Sequence, residues 1–207
     1  RVIGVESSHL PKMRAALDAG GPVTISAAST LADGIAIKRA GDHTLPLFRQ
    51  YVDEIVAVDD EEVANAILLL IEREKTVAEG AGAVSAAALL QHKIKGLTPK
   101  TEVVCAISGG NIDVNIIARI IERGLVVEGR RVVIGVRVPD RPGMLAGVLA
   151  TVAAERANVL EVQHERQFLQ GAIGDTEIDL TLDTRGPAHI ESLIAALRAK
   201  GYAVVRR

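Results

Sequence analysis

Hydrophobic and polar positions along the chain fall into short apolar runs separated by segments with helical spacing. Residues 2–5 form an apolar run that predicts a strand, and residues 11–19 have helical composition that Gly20-Gly21-Pro22 ends. A polar, turn-rich segment around Ser29-Thr30-Leu31-Ala32-Asp33-Gly34 leads to helical spacing over 45–52, and Ile55-Val56-Ala57-Val58 predicts a second strand. Asp59-Asp60-Glu61-Glu62 supplies an N-cap and first-turn negative charge to a helix whose Val63, Ala66, Ile67, Leu70 and Ile71 share one face. An alanine-rich helix follows Glu79 and runs to about His92, and Gly96-Leu97-Thr98-Pro99 predicts a loop. Val103-Val104-Cys105-Ala106-Ile107 then predicts a buried strand that stops at Ser108-Gly109-Gly110-Asn111, with a helix over 111–123.

Strands alternating with helices predict helices packed on a mostly parallel sheet. After Gly129 the pattern changes. Strands are expected at 132–138, 159–167, 177–182 and 203–205, with helices at 142–154 and 190–199. That is β-α-β-β-α-β, the ferredoxin-like order, at a length suited to one small domain. The expected organisation is an α/β domain over 1–124, a connection at 125–130 and a second domain over 131–207.

Composition narrows the function. A net charge of −2 and aromatics at only 2% of 207 residues leave little to neutralise phosphates or stack on bases, which argues against nucleic acid and for small metabolites. No apolar run reaches the roughly 18 residues of a membrane span. Cys105 is the only cysteine, so no internal disulfide can form, and a reducing, cytoplasmic setting is expected. Within its apolar run Cys105 reads as a small buried hydrophobe. The five histidines, His9, His43, His92, His164 and His189, are dispersed without metal-site spacing; surface or loop positions are expected for them, and no metal. Arg1 opens directly on what reads as the middle of a strand, so further chain upstream is expected.

Three stretches carry candidate chemistry. At Ser108-Gly109-Gly110-Asn111 a strand would give way to a helix N-terminus, where free N–H groups and the helix dipole face one crevice; the same pattern also serves as an ordinary helix cap. Glu79-Gly80-Ala81-Gly82 lacks the third glycine of a dinucleotide loop, since Ser85 stands in its place. It either sets Glu79 beside a ligand or allows close packing. Asp140-Arg141-Pro142-Gly143 joins a strand to a helix, with Pro142 suited to the first helical turn, and either caps an amino-acid ligand or is a plain connection.

Together, Val2-Ile3-Gly4-Val5-Glu6, Thr30-Leu31-Ala32-Asp33-Gly34, Glu79-Gly80-Ala81-Gly82-Ala83 and Ser108-Gly109-Gly110-Asn111 resemble the threonine ammonia-lyases, pyridoxal-phosphate enzymes of the tryptophan-synthase-β type. Residues 131–207 resemble their C-terminal ACT domain, with Asp140-Arg141-Pro142-Gly143 and Ala157-Asn158-Val159 as marks. The fold this implies is a partial three-layer α/β domain of fold type II followed by a ferredoxin-like ACT domain. The resemblance further implies pyridoxal phosphate as cofactor, with Ser108 on its pyridine nitrogen, Gly109, Gly110 and Asn111 shaping that side, and Gly34 and Glu79 lining the same pocket. Asp140, Pro142, Gly143 and Asn158 would bind a regulatory amino acid such as isoleucine or valine, and homo-oligomers through both domains are implied. Glu6 matches a carboxylate that related enzymes give to a divalent cation, but Lys12 stands where an acidic ligand would be expected.

In this family the Schiff-base lysine and glycine-rich phosphate loop precede the Val-Ile-Gly-Val-Glu strand. Lys12, Lys38, Lys75, Lys93, Lys95, Lys100 and Lys200 match no such motif, so no catalytic residue is assigned and the chain alone is expected to be inactive. The activity implied for an intact enzyme is conversion of L-threonine to 2-oxobutanoate and ammonia. The other readings are a non-catalytic amino-acid sensor built on the ACT domain, and a serine dehydratase or racemase of the same family.

Overall fold

The computed structural model describes residues 1–165 and 174–207. It divides into two compact units, Arg1–Ile121 and Glu122–Arg207. In the first, β1 (Ile3–Ser7) and β2 (Glu54–Val58) pair in parallel, from Ile3 opposite Glu54 to Ser7 opposite Val58. Around them run α1 (Lys12–Asp18), a 3-10 turn at Asp33–Ile35, α2 (Thr44–Tyr51), α3 (Asp60–Leu69), α4 (Gly80–Leu90) and the start of α5 (Val114–Val127), whose residues from Glu122 on belong to the second unit.

The acidic start of α3 is a reciprocal cap: the Asp59 side chain accepts the Glu62 N–H at 2.9 Å, and the Glu62 side chain accepts the Asp59 N–H at 2.9 Å. The apolar face of α3 (Val63, Ala66, Ile67) meets Ala83, Ala87 and Ala88 of α4 in one buried cluster with Val58. Alanines on that face let the two helices approach closely. Past Leu69 the helix widens into a π turn over Leu70–Glu74, and Lys75 ends it in the left-handed region at φ 56°.

Two expectations for this unit fail. Residues 103–107 form no strand, and Val104 is 97% exposed. A buried strand needs a ladder partner; here β1 and β2 pair only with each other, and among the described residues no backbone N–H of 103–107 makes a hydrogen bond. The segment is held instead by Ser85, whose hydroxyl donates to the Ala106 carbonyl at 2.7 Å. Cys105 is accordingly half-buried, not in the core, though burial still pushes its thiol up and away from thiolate character. The following helix also starts later than expected, at Val114, where Asp113 accepts the Asn115 N–H at 2.7 Å; Ser108 therefore caps nothing.

In the second unit β3 (Arg131–Pro139), α6 (Met144–Ala154), β4 (Asn158–Glu165), β5 (Asp175–Asp183), α7 (Pro187–Ala199) and β6 (Ala203–Arg206) realise the β-α-β-β-α-β order. The sheet is antiparallel throughout, in the order β4-β5-β3-β6. Alternate residues Thr176, Ile178, Leu180 and Leu182 of β5 and Val132, Ile134, Val136 and Val138 of β3 point inward, onto Val148 and Val152 of α6 and Ile190, Leu193 and Leu197 of α7. The anticipated end of β4 at Arg166 and Gln167 lies outside the described residues. The connection anticipated at 125–130 is helical through Val127.

Pro142 precedes α6 instead of entering its first turn, because the helix starts at Met144 after Gly143 turns the chain at φ 89°. His189, expected at the surface or in a loop, is only 8% exposed in α7. Its Nδ1 accepts the Arg185 N–H at 3.0 Å, and its Nε2 lies 2.8 Å from the Glu155 carbonyl, so Nε2 carries the proton. Losing one partner from two buried hydrogen bonds costs about 2 kcal/mol. His189→Ala should lower the stability of this unit by about that much in urea titration followed by circular dichroism, with the transition of residues 1–121 unmoved.

Candidate active site

The first turn of α4 is wedged between two loops. On one side, a methyl group at Gly80 would overlap the Leu31 carbonyl; on the other, one at Gly82 would overlap the carbonyl oxygen of Ser108. Only glycine permits these approaches. Glu79, the N-cap of α4, completes the junction: its N–H donates to the Gly109 carbonyl at 3.1 Å, and its Oε2 accepts the Asn111 N–H at 3.2 Å. Gly109 sits at φ 68° against the Glu79 carboxylate, where a side chain would collide. Gly34 is the third wall, since a Cβ there would lie 2.9 Å from Ala81 Cβ and 3.3 Å from Glu79 Oε1.

Thus Gly34, Glu79, Ser108, Gly109, Gly110 and Asn111, from three stretches of sequence, meet at one place. The loop carrying Gly34 is fixed from behind by Asp60, whose Oδ1 accepts from the Thr30 hydroxyl at 2.6 Å and the Leu31 N–H at 2.9 Å. Sequence reasoning missed Asp60 in this role, because Thr30 and Leu31 lie 30 and 29 residues away and the acidic run reads as a helix start alone. The Ser108 side chain is exposed at this junction. A neutral hydroxyl and a rim of bare backbone suit a flat heteroaromatic ring with a basic nitrogen, so the residues present fit pyridoxal phosphate. Of the lysines, Lys12 reaches the turn that carries Gly34, where its Nζ donates to the Ile35 carbonyl, while Lys75 Nζ donates to the Glu72 carbonyl and Lys93 pairs with Glu62.

Comparison with known proteins bears on this constellation. The family model described as pyridoxal-phosphate dependent enzyme matches residues 1–109, which end inside the Ser-Gly-Gly motif. The chain belongs to this family. A model of the ACT domain matches residues 132–201, so a fold-type II domain of pyridoxal-phosphate-dependent type is followed by an ACT domain. The chain is 49% identical over 205 residues to an L-threonine ammonia-lyase of Thermotoga maritima and 45% identical over 204 to one of Geobacter sulfurreducens. Each match covers 99% of this chain but 50% of the relative, so the chain spans half their length. The structure of a processed threonine deaminase isoform from Solanum lycopersicum superposes with TM-score 0.52 at 28% identity, over 59% of this chain and 36% of that one.

In the ACT domain a cleft of about 340 Å³ gathers Asp140, Pro142 and Gly143 with His164 and Thr176. Asn158 does not line it; it sits at the other end of β4, opposite Asp183. His164 was not foreseen, and only the β4–β5 register, which sets it opposite Ile178, brings it there. Among the described residues no three His, Cys, Asp or Glu side chains are grouped to hold a metal ion, and no helix is long and apolar enough to cross a membrane.

Glu6 is 4% exposed and accepts the N–H groups of Met13 and Arg14 at 2.9 and 3.2 Å. Burial outweighs these bonds and pushes its carboxyl above the usual 4.5. The folded state therefore holds the Glu6 proton more tightly than the unfolded state, and stability falls as pH rises through that range. Against a Glu6→Gln variant, the wild-type chain should gain stability as pH is lowered from 7 through the Glu6 titration, read from urea midpoints at each pH. Gly82→Ala should push residues 108–111 off α4 and destabilise the first unit by about 1–3 kcal/mol, the range for overpacking a tight contact, with the ACT transition unchanged.

Proposed function

We propose that this chain supplies one wall of the active site of a pyridoxal-phosphate-dependent threonine ammonia-lyase, together with its amino-acid-sensing ACT domain. The observation that carries the reading is the convergence of Gly34, Glu79 and 108–111 on one rim, in a chain nearly half identical to two threonine ammonia-lyases. When bound, pyridoxal phosphate supplies the electron sink that lets the Cα–H and Cβ–O bonds of a β-hydroxy amino acid break. Ser108 would hold the ring nitrogen through its hydroxyl and, being neutral, would leave that nitrogen unprotonated. Glu79 keeps Asn111 and Gly109 in place behind Ser108, and Gly34 leaves room beside Glu79.

No lysine of this chain is offered as the covalent residue. The half of the relatives that this chain does not match supplies it, with the phosphate loop. A groove of about 740 Å³ between Ile3 and Val5 of β1 and residues 103–106 is the place for an apolar strand of that half, since among the described residues β1 pairs along one edge only and no backbone N–H of 103–106 makes a hydrogen bond. The ACT cleft at Asp140, Pro142 and Gly143 takes a free amino acid, and the assembly is a cytoplasmic homo-oligomer.

The test is release of 2-oxo acid from L-threonine with pyridoxal phosphate, by this chain alone and mixed with the complementary half of a relative. Activity is expected only in the mixture, and Ser108→Ala should lower it at least about tenfold, the scale of losing a well-placed active-site donor. Turnover by the chain alone, or none in a mixture of two folded pieces, would overturn the proposal. In the latter case saturable binding of isoleucine or valine, read by calorimetry, would leave the amino-acid sensor as the function.

A further inference from the structure

Lys12 stands outside the rim but reaches back to it. Its stem is half-buried at the start of α1, and its Nζ donates to the Ile35 carbonyl at 2.8 Å, a bond that crosses 23 residues. Ile35 is the last residue of the 3-10 turn whose middle residue is Gly34. The near side of that turn is fixed by Thr30 and Leu31 on Asp60. Its far side has only the turn's own bonds, Ala36 N–H to Asp33 and Ile37 N–H to Ile35, before Lys38 pairs with Ile25. Lys12 is the one long-range polar tie among the described residues there.

Behind Lys12 lies Glu6, whose two carboxyl oxygens are already committed to the Met13 and Arg14 N–H groups. Glu6 therefore attracts the ammonium without capturing it, which leaves the Lys12 donors for Ile35. An ammonium taken half out of water is costly unless it is paired, and a hydrocarbon side chain would fill the same space more cheaply. A charged donor at this place therefore indicates that the position of the carbonyl matters.

We propose that Lys12 is a positioning residue: held beside Glu6, its ammonium pins the Asp33–Ile35 turn so that Gly34 keeps its approach to Glu79 and thereby the cofactor rim. The tether itself stands on the bonds above; its bearing on the cofactor rests on the reading of Gly34 and Glu79 as part of that rim.

Hydrogen exchange followed by mass spectrometry on the 207-residue chain tests the tether without any activity. In Lys12→Met, amides 35–37 should exchange on the order of tenfold faster, the effect of losing one charge-assisted hydrogen bond, while α3 and the ACT domain keep their protection. Lys12→Arg, which keeps a charged donor, should restore most of it. Unchanged exchange in Lys12→Met, or equal acceleration in both variants, would overturn the proposal, the second by assigning the effect to lost packing. In the complemented protein, Lys12→Met should raise the pyridoxal phosphate concentration for half-saturation, read from cofactor absorbance, about tenfold, with Lys12→Arg near wild type. An unchanged half-saturation would show that the tether does not reach the rim. Because exchange is read on the chain itself, a mixture that binds cofactor but does not turn over threonine would sink the proposed activity and leave the tether standing.

Discussion

The contact between the first turn of α4 and the backbone of Ser108 is the constraint on which the rim depends. Gly82 carries a hydrogen where any other residue would carry a carbon, and the Ser108 carbonyl occupies that space. Everything else at the rim follows from this approach. Glu79, three residues earlier, comes within reach of Gly109 and Asn111, and Gly80 comes within reach of Leu31. One helix N-terminus thus organises two loops that share no secondary structure. The stretch that looked like a cofactor-binding strand-to-helix junction is held by its neighbour, not by its own backbone ladder.

The ACT unit is built on a different principle. Its order comes from alternation: β3 and β5 bury every second residue, and antiparallel registers leave those side chains one face to cover. A slip by one residue would turn that face to solvent, so the register is strongly specified. His189 adds a polar fastening, tying the Arg185 N–H to the Glu155 carbonyl. The cleft at Asp140, Pro142 and Gly143 sits where β3 leaves the sheet for α6, and the same register brings His164 to its wall.

What was legible in the sequence was what local pattern controls. The acidic cap and 3.6-residue period of α3, the alanine-rich helix after Glu79 and the strand at 177–182 are each written in consecutive residues, and each is found. The run at 103–107 was misread because apolar β-branched residues declare a preference for pairing but not the presence of a partner. The late start of α5 at Val114 follows, since Ser108 packs on Gly82, and Gly109 and Asn111 are bonded to Glu79 instead of entering a new helix. Gly34, Glu79 and 108–111 were named individually, but that Glu79 is their hub was not readable, because nothing local marks a carboxylate whose partners lie 30 and more residues away. His189, expected at the surface or in a loop, is held inside because two backbone partners satisfy its ring.

A rim made of backbone and one carboxylate has no stiffness of its own. Residues 101–113 contain neither helix nor strand, so the placement of Ser108 is borrowed from α4. The helix is rigid because its small residues, Ala83, Ala87 and Ala88, lie in close contact with α3. In turn α3 is fixed at its start by the Asp59–Glu62 cap, and the adjacent Asp60 reaches out to Thr30 and Leu31. The acidic cluster that reads as a plain helix start therefore works in both directions: it closes the N-terminus of α3 and anchors the loop that carries Gly34. Position at the rim is transmitted through packed helices and short polar ties, which leaves the exposed Ser108 hydroxyl and Asn111 amide as side-chain donors of the rim presented to solvent.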